Sequence, residues 1–185
     1  MHTDILFTST SPAKGFSTSM ETLTALDAIR RKHPLTPDAG STEEMAAIDN
    51  FKTFFSSFAA DRIENLLPAT YADDVYFNDT LKTIHGIEDL AHYLKESADA
   101  VDECRVEVIE VTRTLHGDHY FRWKMMIRFK RFKKGRATWT VGMSHLRFNE
   151  QGLVVYHQDY WNATDGLFRH IPILGNMINA VIKRL

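Results

Sequence analysis

The chain has 185 residues, a formal net charge of −2 and one cysteine, Cys104. A chain of this length usually forms one domain with a substantial core. The single cysteine excludes an internal disulfide and favours a reducing compartment, so we predict a cytoplasmic protein. The near-neutral charge argues against nucleic-acid binding. Neither a membrane-spanning run nor a signal peptide is visible in the sequence. Composition therefore predicts a soluble domain and leaves its function open.

The first 42 residues differ in composition from the rest and are predicted to form an amino-terminal arm. Serine, threonine, proline and glycine are concentrated in residues 8–18 and 34–42. Between these runs, residues 21–32 carry apolar side chains at helical spacing, and His33 and Pro34 follow. A short helix is therefore expected to end there. We expect it to pack on the body of the protein or on a second subunit.

Three more helices are predicted between the arm and residue 98. Ser41 lies three residues before Glu44 and ahead of an apolar run, which is the capping-box pattern of a helix start. The next apolar side chains recur every three or four positions and form one stripe: Met45, Ile48, Phe51, Phe55 and Phe58. Residues 61–68 and 87–98 repeat the pattern. Each stripe predicts a helix that is packed on a broad apolar surface.

After residue 102 the apolar period changes from about 3.6 residues to about 2, which predicts strands. These strands are centred on Val106 and Val108 and on residues 121–130, 137–148 and 153–161, with turns at 133–136 and 149–152. They have one apolar and one charged face, so helices are expected on the apolar face only. We predict an α+β fold in which helices pack in the hollow of a curved sheet and leave a pocket.

Two other segments have a distinct composition. Residues 122–136 contain eight lysines and arginines and no acidic residue. Most of these bases alternate onto the charged face, which is either a solvated surface or a site for an anionic partner. Residues 167–185 carry one apolar stripe, divided by Pro172 and Gly175. We predict an apolar carboxy-terminal helix that closes the pocket, packs in a dimer or touches a membrane surface.

Several motifs resemble a known superfamily. The run YADDVYFND at residues 71–79, followed by His85 and Gly86, resembles the same region of ketosteroid isomerases, which belong to the nuclear transport factor 2-like superfamily. The segment LRFNEQG at residues 146–152 resembles the last hairpin of that fold. Residues 161–168 are similar to the tail of SnoaL-like polyketide cyclases and of their uncharacterised bacterial relatives.

The resemblance implies the cone-shaped nuclear transport factor 2-like fold, with a curved mixed or antiparallel sheet. It covers residues 43–170 and leaves the arm unexplained. We therefore divide the chain into the arm, 1–42, the SnoaL-like domain, 43–166, and the carboxy-terminal apolar helix, 167–185. Because this fold carries isomerases, hydrolases, cyclases and binding modules, the resemblance does not fix an activity.

Asp79 is the leading candidate for a catalytic residue. By the resemblance it takes the position of the isomerases' proton-transferring aspartate, at the end of the first strand where the pocket opens. A carboxylate beside an apolar cavity loses hydration, which raises its pKa toward the range useful for proton transfer. The alternative is that Asp79 caps the turn at residues 80–83 through hydrogen bonds to the backbone.

The two oxyanion donors of the isomerases, a tyrosine and a protonated aspartic acid, are both replaced. The resemblance places Phe55 and Ser144 at their positions. Phe55 donates no hydrogen bond and Ser144 is a weaker donor, and losing one such donor costs about 10²–10³ in rate. Steroid isomerisation by that mechanism is therefore not expected. The residues predicted to contact a ligand are Phe55, Phe77, Ser144 and Trp161.

The last strand supplies the other candidates. Alternation places His157, Asp159 and Trp161 on one face of that strand, which the resemblance makes the pocket face. An imidazole and a carboxylate two residues apart favour each other's charged form. In the alternatives, the three form a polar cluster under Trp161, or a one-residue change of register turns them outward.

We therefore predict a pocket for a small apolar, cyclic ligand, in which Asp79, His157 and Asp159 handle protons in isomerisation, cyclisation or hydration. The alternative is a non-catalytic module that binds a ligand in the cone and forms a homodimer through its sheet. No phosphate-binding loop or metal-ligand spacing is present, so we predict no cofactor and no metal. Cys104 fits a small buried hydrophobe better than a nucleophile.

Overall fold

The computed structural model describes residues 19–131, 136–171, 174–182 and 184. Its helices are Ser19–Lys32 (α1), Thr42–Phe55 (α2), Ala60–Thr70 (α3), Ile87–Asp99 (α4), Ala163–Gly166 (α5) and Leu174–Ile182 (α6), with a 3₁₀ turn at Phe168–His170. Its strands are Tyr71–Asn78 (β1), Thr83–His85 (β2), Val101–Arg113 (β3), His119–Phe129 (β4), Thr138–Phe148 (β5) and Val154–Trp161 (β6). The predicted α+β class is confirmed.

The described strands form one mixed sheet in the order β2-β1-β6-β5-β4-β3. The four antiparallel strands predicted from alternation are β3 to β6. To these the structure adds β1, which runs parallel to β6, and the short β2. The pairing of β1 with β6 brings Asp79, the residue after β1, next to the end of β6, where Trp161 Nε1 donates to the Asp79 carbonyl oxygen at 2.7 Å.

Helices α2, α3 and α4 pack on one side of the sheet, called the inner face below. The core there includes Phe51 of α2, Ile63 of α3 and Leu90 of α4. Met45, expected in the α2 stripe, is instead 52% exposed. At about 100° per residue it lies about 120° from Phe51 around the helix, outside the buried arc. Phe58, also expected in this stripe, lies beyond the end of α2.

Helix α1 packs on the opposite side, the outer face, so the expectation that helices cover only one face is wrong. Leu26 of α1 forms a small separate cluster with Tyr76 and Tyr156. Both tyrosines are buried on outward positions of β1 and β6, although the outer side of β6 was expected to belong to the charged face. Aromatic side chains in that half of the outer face need a cover, and the arm helix supplies it. The expected packing of this helix on the body is therefore confirmed.

A buried ionic cluster holds the end of α1 on the outer face. Asp118 is fully buried and pairs with Arg30 of α1, with His145 and with Arg147. Arg147 also donates to backbone carbonyl oxygens just after α1. Desolvation opposes the charge on Asp118, but hydrogen bonds from these cations and from His145 outweigh it and hold the pKa of Asp118 well below its usual range.

The basic residues of β4 have acidic neighbours on β3. The described cross-strand pairs are Arg122–Glu110, Lys124–Glu107 and Arg128–Glu103. Exposed pairs of this kind contribute little to stability, yet they reduce the positive charge available to an anionic partner. The solvated-surface alternative therefore fits this strand better. The turn predicted at residues 133–136 lies outside the described residues, except for Arg136.

Among the described residues, the apolar segment predicted at 167–185 contains a 3₁₀ turn at Phe168–His170 and helix α6 at Leu174–Ile182. Gly175 of α6 lies so close to the 3₁₀ turn that a Cβ there would clash with the Arg169 carbonyl oxygen. Met177 and Val181 of α6 are about 60% exposed. Pro172, Lys183 and Leu185 lie outside the described residues. None of the helices described here is both long and apolar enough to cross a membrane.

Candidate active site

A cavity of about 260 Å³ lies between the inner face and helices α2 and α4. Its wall is mainly aromatic and aliphatic. All four predicted ligand contacts line it: Phe55, Phe77, Ser144 and Trp161. Two carboxylates, Asp79 and Asp159, line it as well. Leu167, from the predicted carboxy-terminal segment, also reaches this wall.

Asp79 both lines the cavity and caps a turn, so the cap is present and is compatible with the catalytic role, which stays a prediction. Its Oδ1 accepts hydrogen bonds from the backbone N–H groups of Leu81 and Lys82, at 3.0 and 2.9 Å. Its Oδ2 accepts one from the hydroxyl of Tyr93. Burial raises the pKa of Asp79, these three hydrogen bonds oppose the increase, and the nearby charge of Asp159 adds to it.

Asp159 lies at the end of a chain of hydrogen bonds. Trp123 Nε1 donates to Ser144 Oγ at 2.9 Å, and Ser144 donates to Asp159 Oδ1 at 2.5 Å. His157 Nε2 lies 2.8 Å from the same Oδ1, and its Nδ1 lies 2.7 Å from the Tyr71 hydroxyl. Because an ionised carboxylate only accepts, Nε2 of a neutral His157 donates, Nδ1 accepts and the Tyr71 hydroxyl donates.

The two carboxylates therefore differ in whether each of their oxygen atoms already accepts a hydrogen bond. Both oxygens of Asp79 accept hydrogen bonds. Of Asp159, Oδ1 accepts two, and Oδ2 accepts none from any residue in the described part of the chain. Asp159 thus carries a held oxygen and a second oxygen with free lone pairs, at the wall of an apolar cavity.

His157 supports the site from behind. The predicted common face of His157, Asp159 and Trp161 is present, since the histidine bonds Asp159 and both other side chains line the cavity. His157 itself is 1% exposed and is not part of that wall. Aromatic rings surround it, with Phe55 and Phe77 edge-on and Tyr71 stacked. It can position Asp159 and share a proton with it, without touching a ligand.

Tyr71 and Tyr93 were not predicted as site residues. Their partners, His157 and Asp79, are 86 and 14 positions away in the sequence, so no local spacing connects them. Tyr93 belongs to the apolar stripe of α4, and an aromatic residue at such a position is normally interpreted as part of the hydrophobic core. Tyr71 is the first residue of the YADD run. That run indicated the family resemblance, but it gave no sign that Tyr71 bonds to His157.

Cys104 and metal binding offer no competing chemistry among the described residues. Cys104 lines the cavity, and burial raises its pKa to about 12, so the thiol stays protonated. Within the described ranges, no group of three or more His, Cys, Asp or Glu side chains is placed to hold a metal ion. Asp79 and Asp159 are the acidic side chains among the described residues of this wall.

The sequence matches the family model of the SnoaL-like domain over residues 51–157. The chain belongs to the SnoaL-like family. No curated protein matches it in sequence. Its nuclear transport factor 2-like fold, implied by the sequence motifs, is confirmed by solved structures that are similar to it.

Three of these structures illustrate the range of this fold. An LEH-like epoxide hydrolase from M. tuberculosis is 14% identical, with 76% of this chain and 98% of that chain covered and a TM-score of 0.56. A ketosteroid isomerase-like protein from Catenulispora acidiphila, in complex with trimethylamine, is 14% identical, with 72% and 92% covered and a TM-score of 0.56. A Mycobacterium tuberculosis protein in complex with estradiol-17β-hemisuccinate is 20% identical, with 65% and 96% covered and a TM-score of 0.53. At these identities the likeness shows the fold of the SnoaL-like protein and not its substrate.

Proposed function

We propose that this SnoaL-like protein catalyses cofactor-free acid–base chemistry on a small apolar, cyclic ligand bound in the inner-face cavity. The observation that carries the proposal is Asp159, a cavity-wall residue whose Oδ1 is held by His157 and Ser144 while Oδ2 accepts no hydrogen bond from the residues that the structure describes. Isomerisation, cyclisation and hydration all need a positioned base of this kind.

Asp159 is the proposed base. His157, itself bonded to the Tyr71 hydroxyl, fixes the orientation of this carboxylate through its hydrogen bond to Oδ1. Asp79 is the proposed second carboxyl. Because its pKa is raised, it takes up a proton more readily than an exposed aspartate and can hold one before returning it to the ligand.

Similar structures support a ligand in this cavity and leave its nature open. Proteins of the same fold bind trimethylamine or a steroid hemisuccinate, and another is an epoxide hydrolase. Isomerisation through an oxyanion hole is not supported here. Phe55 has no donor, and the Ser144 hydroxyl already donates to Asp159, so an enolate oxygen would lack both of its usual partners.

The test compares turnover by the wild type and by Asp159→Asn. Apolar cyclic alcohols, epoxides and ketones are incubated with the protein, and products are followed by mass spectrometry. For any compound that is converted, the variant should lower kcat by about 10²–10⁴. Leu115→Ala, at a fully exposed site away from the cavity, is the control and should change nothing. Turnover that survives in Asp159→Asn contradicts the proposed base.

The competing function is a non-catalytic binding module of the same fold. It uses the same cavity, whose wall is mostly apolar and therefore able to hold a ligand by burial alone. Compounds that stabilise the protein to heat and are recovered unchanged after long incubation would favour this function. The two functions are separated by product formation, since both predict binding.

We also propose a homodimer formed through the outer face. Trp139, Val141 and Met143 of β5 alternate onto that face and are 38–61% exposed, and Tyr160 pairs with Met143 on the neighbouring strand. An apolar patch of this kind beside charged strands is typical of a protein–protein contact. Val141→Lys should convert the dimer to a monomer in analytical ultracentrifugation. A wild type that sediments as a monomer contradicts the proposal.

We also propose that the protein is located in the cytoplasm. It is supported by the single Cys104, whose thiol is free, as suits a reducing compartment. Fractionation of the cells that make the protein, with an antibody against it, should recover it with cytoplasmic markers. Recovery with membranes or in the medium contradicts this location.

A further inference from the structure

The hydroxyl and indole donors in the cavity wall are already engaged with acceptors of that wall. The bonds run from Trp123 to Ser144, from Ser144 to Asp159, from Trp161 to the Asp79 carbonyl, from Tyr93 to the Asp79 carboxylate and from Ser97 to the Tyr93 carbonyl. The thiol of Cys104 is the remaining side-chain donor of the described wall, and a thiol donates weakly. A ligand therefore meets no strong, unengaged side-chain donor there.

The open groups of the wall are acceptors. Oδ2 of Asp159 accepts no hydrogen bond from the described residues, and the wall holds a second carboxyl group, Asp79, whose two oxygens already accept hydrogen bonds. The described lining residues include no lysine, arginine or histidine. Lys82, whose Nζ lies 4.9 Å from the centre of the Tyr93 ring, is exposed and is not part of the wall. The cavity side of the carboxylates thus lacks a cation from these residues.

We propose that the cavity selects an apolar ligand whose polar end donates hydrogen bonds, with a protonated amine bound most tightly, an alcohol less tightly and a carboxylate least. An ammonium group supplies both donors and positive charge to partly buried carboxylate oxygens, and such charge-assisted bonds are the stronger ones. Phe55 and Trp161 also line this wall, and aromatic rings attract cations.

A ligand that anchors through a ketone, ester or carboxylate oxygen has the opposite chemistry. Its acceptor would face Asp159 Oδ2, acceptor against acceptor, and a buried polar group without a partner is costly. The inference rests on the proposed use of this cavity and narrows its substrate class to amines and, second, alcohols. In such a substrate the donor group lies on Asp159, the proposed base.

The experiment uses three probes with one apolar body: adamantane-1-amine, adamantan-1-ol and adamantane-1-carboxylate. Affinities are measured by isothermal titration calorimetry on the full chain at pH 7 and constant ionic strength. The amine is expected to bind at least about tenfold more tightly than the carboxylate, which is about 1.4 kcal/mol, with the alcohol between them. Equal binding of all three, tighter binding of the carboxylate, or no binding at all overturns the inference.

A variant tests whether the Asp159 carboxylate causes the preference for the amine. Asp159→Asn keeps the size of the side chain and removes its charge. It should weaken the binding of the amine about tenfold and the binding of the alcohol by no more than about threefold. Leu115→Ala should leave all three affinities unchanged. An amine affinity that Asp159→Asn leaves intact overturns the role given to Asp159. The wild-type ranking needs no variant and remains decisive even where the variant does not fold.

Failure of this inference can be told apart from failure of the proposed function. If the ranking holds but bound amines and alcohols are recovered unchanged, the catalytic function fails and the ligand class stands. If Asp159-dependent turnover is found on ketones or carboxylates that bind more tightly than the amine, the ligand class fails and the catalytic function stands.

Discussion

Two aspartate–histidine pairs lie on opposite faces of the same sheet, and they differ in what else bonds to the carboxylate. Asp118, under α1, pairs with His145 at 3.1 Å and engages both oxygens, because two arginines also reach it. Asp159, on the inner face, pairs with His157 at 2.8 Å and lines a cavity, and one of its oxygens accepts no hydrogen bond within the described ranges. The pair alone does not separate a structural role from a chemical one. The two roles are distinguished by the number of cations that pair with the carboxylate and by whether one of its oxygens accepts no hydrogen bond from the described residues.

The largest effect on stability is expected from Asp118→Ala. The change leaves Arg147 buried without its carboxylate, and breaking a buried ion pair costs about 3–5 kcal/mol. Asp159→Ala is the matched change on the inner face. Among the described residues it strands no buried cation, but it leaves the Ser144 hydroxyl and His157 Nε2–H without their acceptor, so it should cost about 1–3 kcal/mol. The free energy of unfolding is measured by urea denaturation at pH 7, and equal losses in the two variants would remove the distinction drawn between the two pairs.

A smaller loss of folding stability is expected when the pH is lowered. The folded state holds the pKa of Asp118 below its unfolded value of about 4, so its contribution is complete above about pH 5 and is lost as the pH falls through the folded pKa. One such group contributes roughly 2–3 kcal/mol. Despite desolvation, hydrogen bonds also lower the pKa of Glu44, which adds to the same trend.

Urea denaturation between pH 6 and pH 3 measures this loss. The wild type should lose stability steeply toward the acid end, and Asp118→Asn should have a flatter profile because the titrating group is gone. A variant profile as steep as that of the wild type would show that other carboxylates dominate acid unfolding.

The smallest expected effect has the opposite sign. Burial raises the pKa of Asp79, so its charged form costs stability at neutral pH, and this cost is relieved as the pH falls through the folded pKa. Asp79→Asn removes the charge while its oxygen still accepts from Leu81 and Lys82. It should stabilise the protein by about 0.5 kcal/mol at pH 7 and by less at pH 4. Thermal unfolding at both pH values checks this, and a loss of stability at pH 7 would contradict it.

Local pattern predicted the elements and missed the buried charges. Ser41 does cap α2, accepting from the Glu44 N–H at 3.1 Å. The Glu44 side chain, however, bonds the Gly40 N–H and His119 instead of returning to Ser41. His119 is 75 residues away, so no helix-start signal reveals that Glu44 is buried and paired.

For the candidate site, strand alternation and family resemblance predicted which residues share a face, and Asp79, Ser144, Asp159 and Trp161 do line one cavity. They did not predict the bonding order. The link from Tyr71 to His157 depends on the parallel neighbour β1, and a parallel partner leaves no mark on the sequence of β6. The division of the chain at residues 42 and 166 stays a prediction, since the family model covers only residues 51–157.

Pairing β1 with β6 makes the cavity a late product of folding. Asn78 and Gln158, which bond across this pair, are 80 residues apart, and closing so long a loop costs entropy before the contacts can repay it. Such non-local pairing slows folding, while the helices and the β3–β4 hairpin need only local contacts. During synthesis the cavity wall stays incomplete until β6 has left the ribosome. A nascent chain that ends before β6 therefore already contains Asp79 and has no second carboxylate to face it.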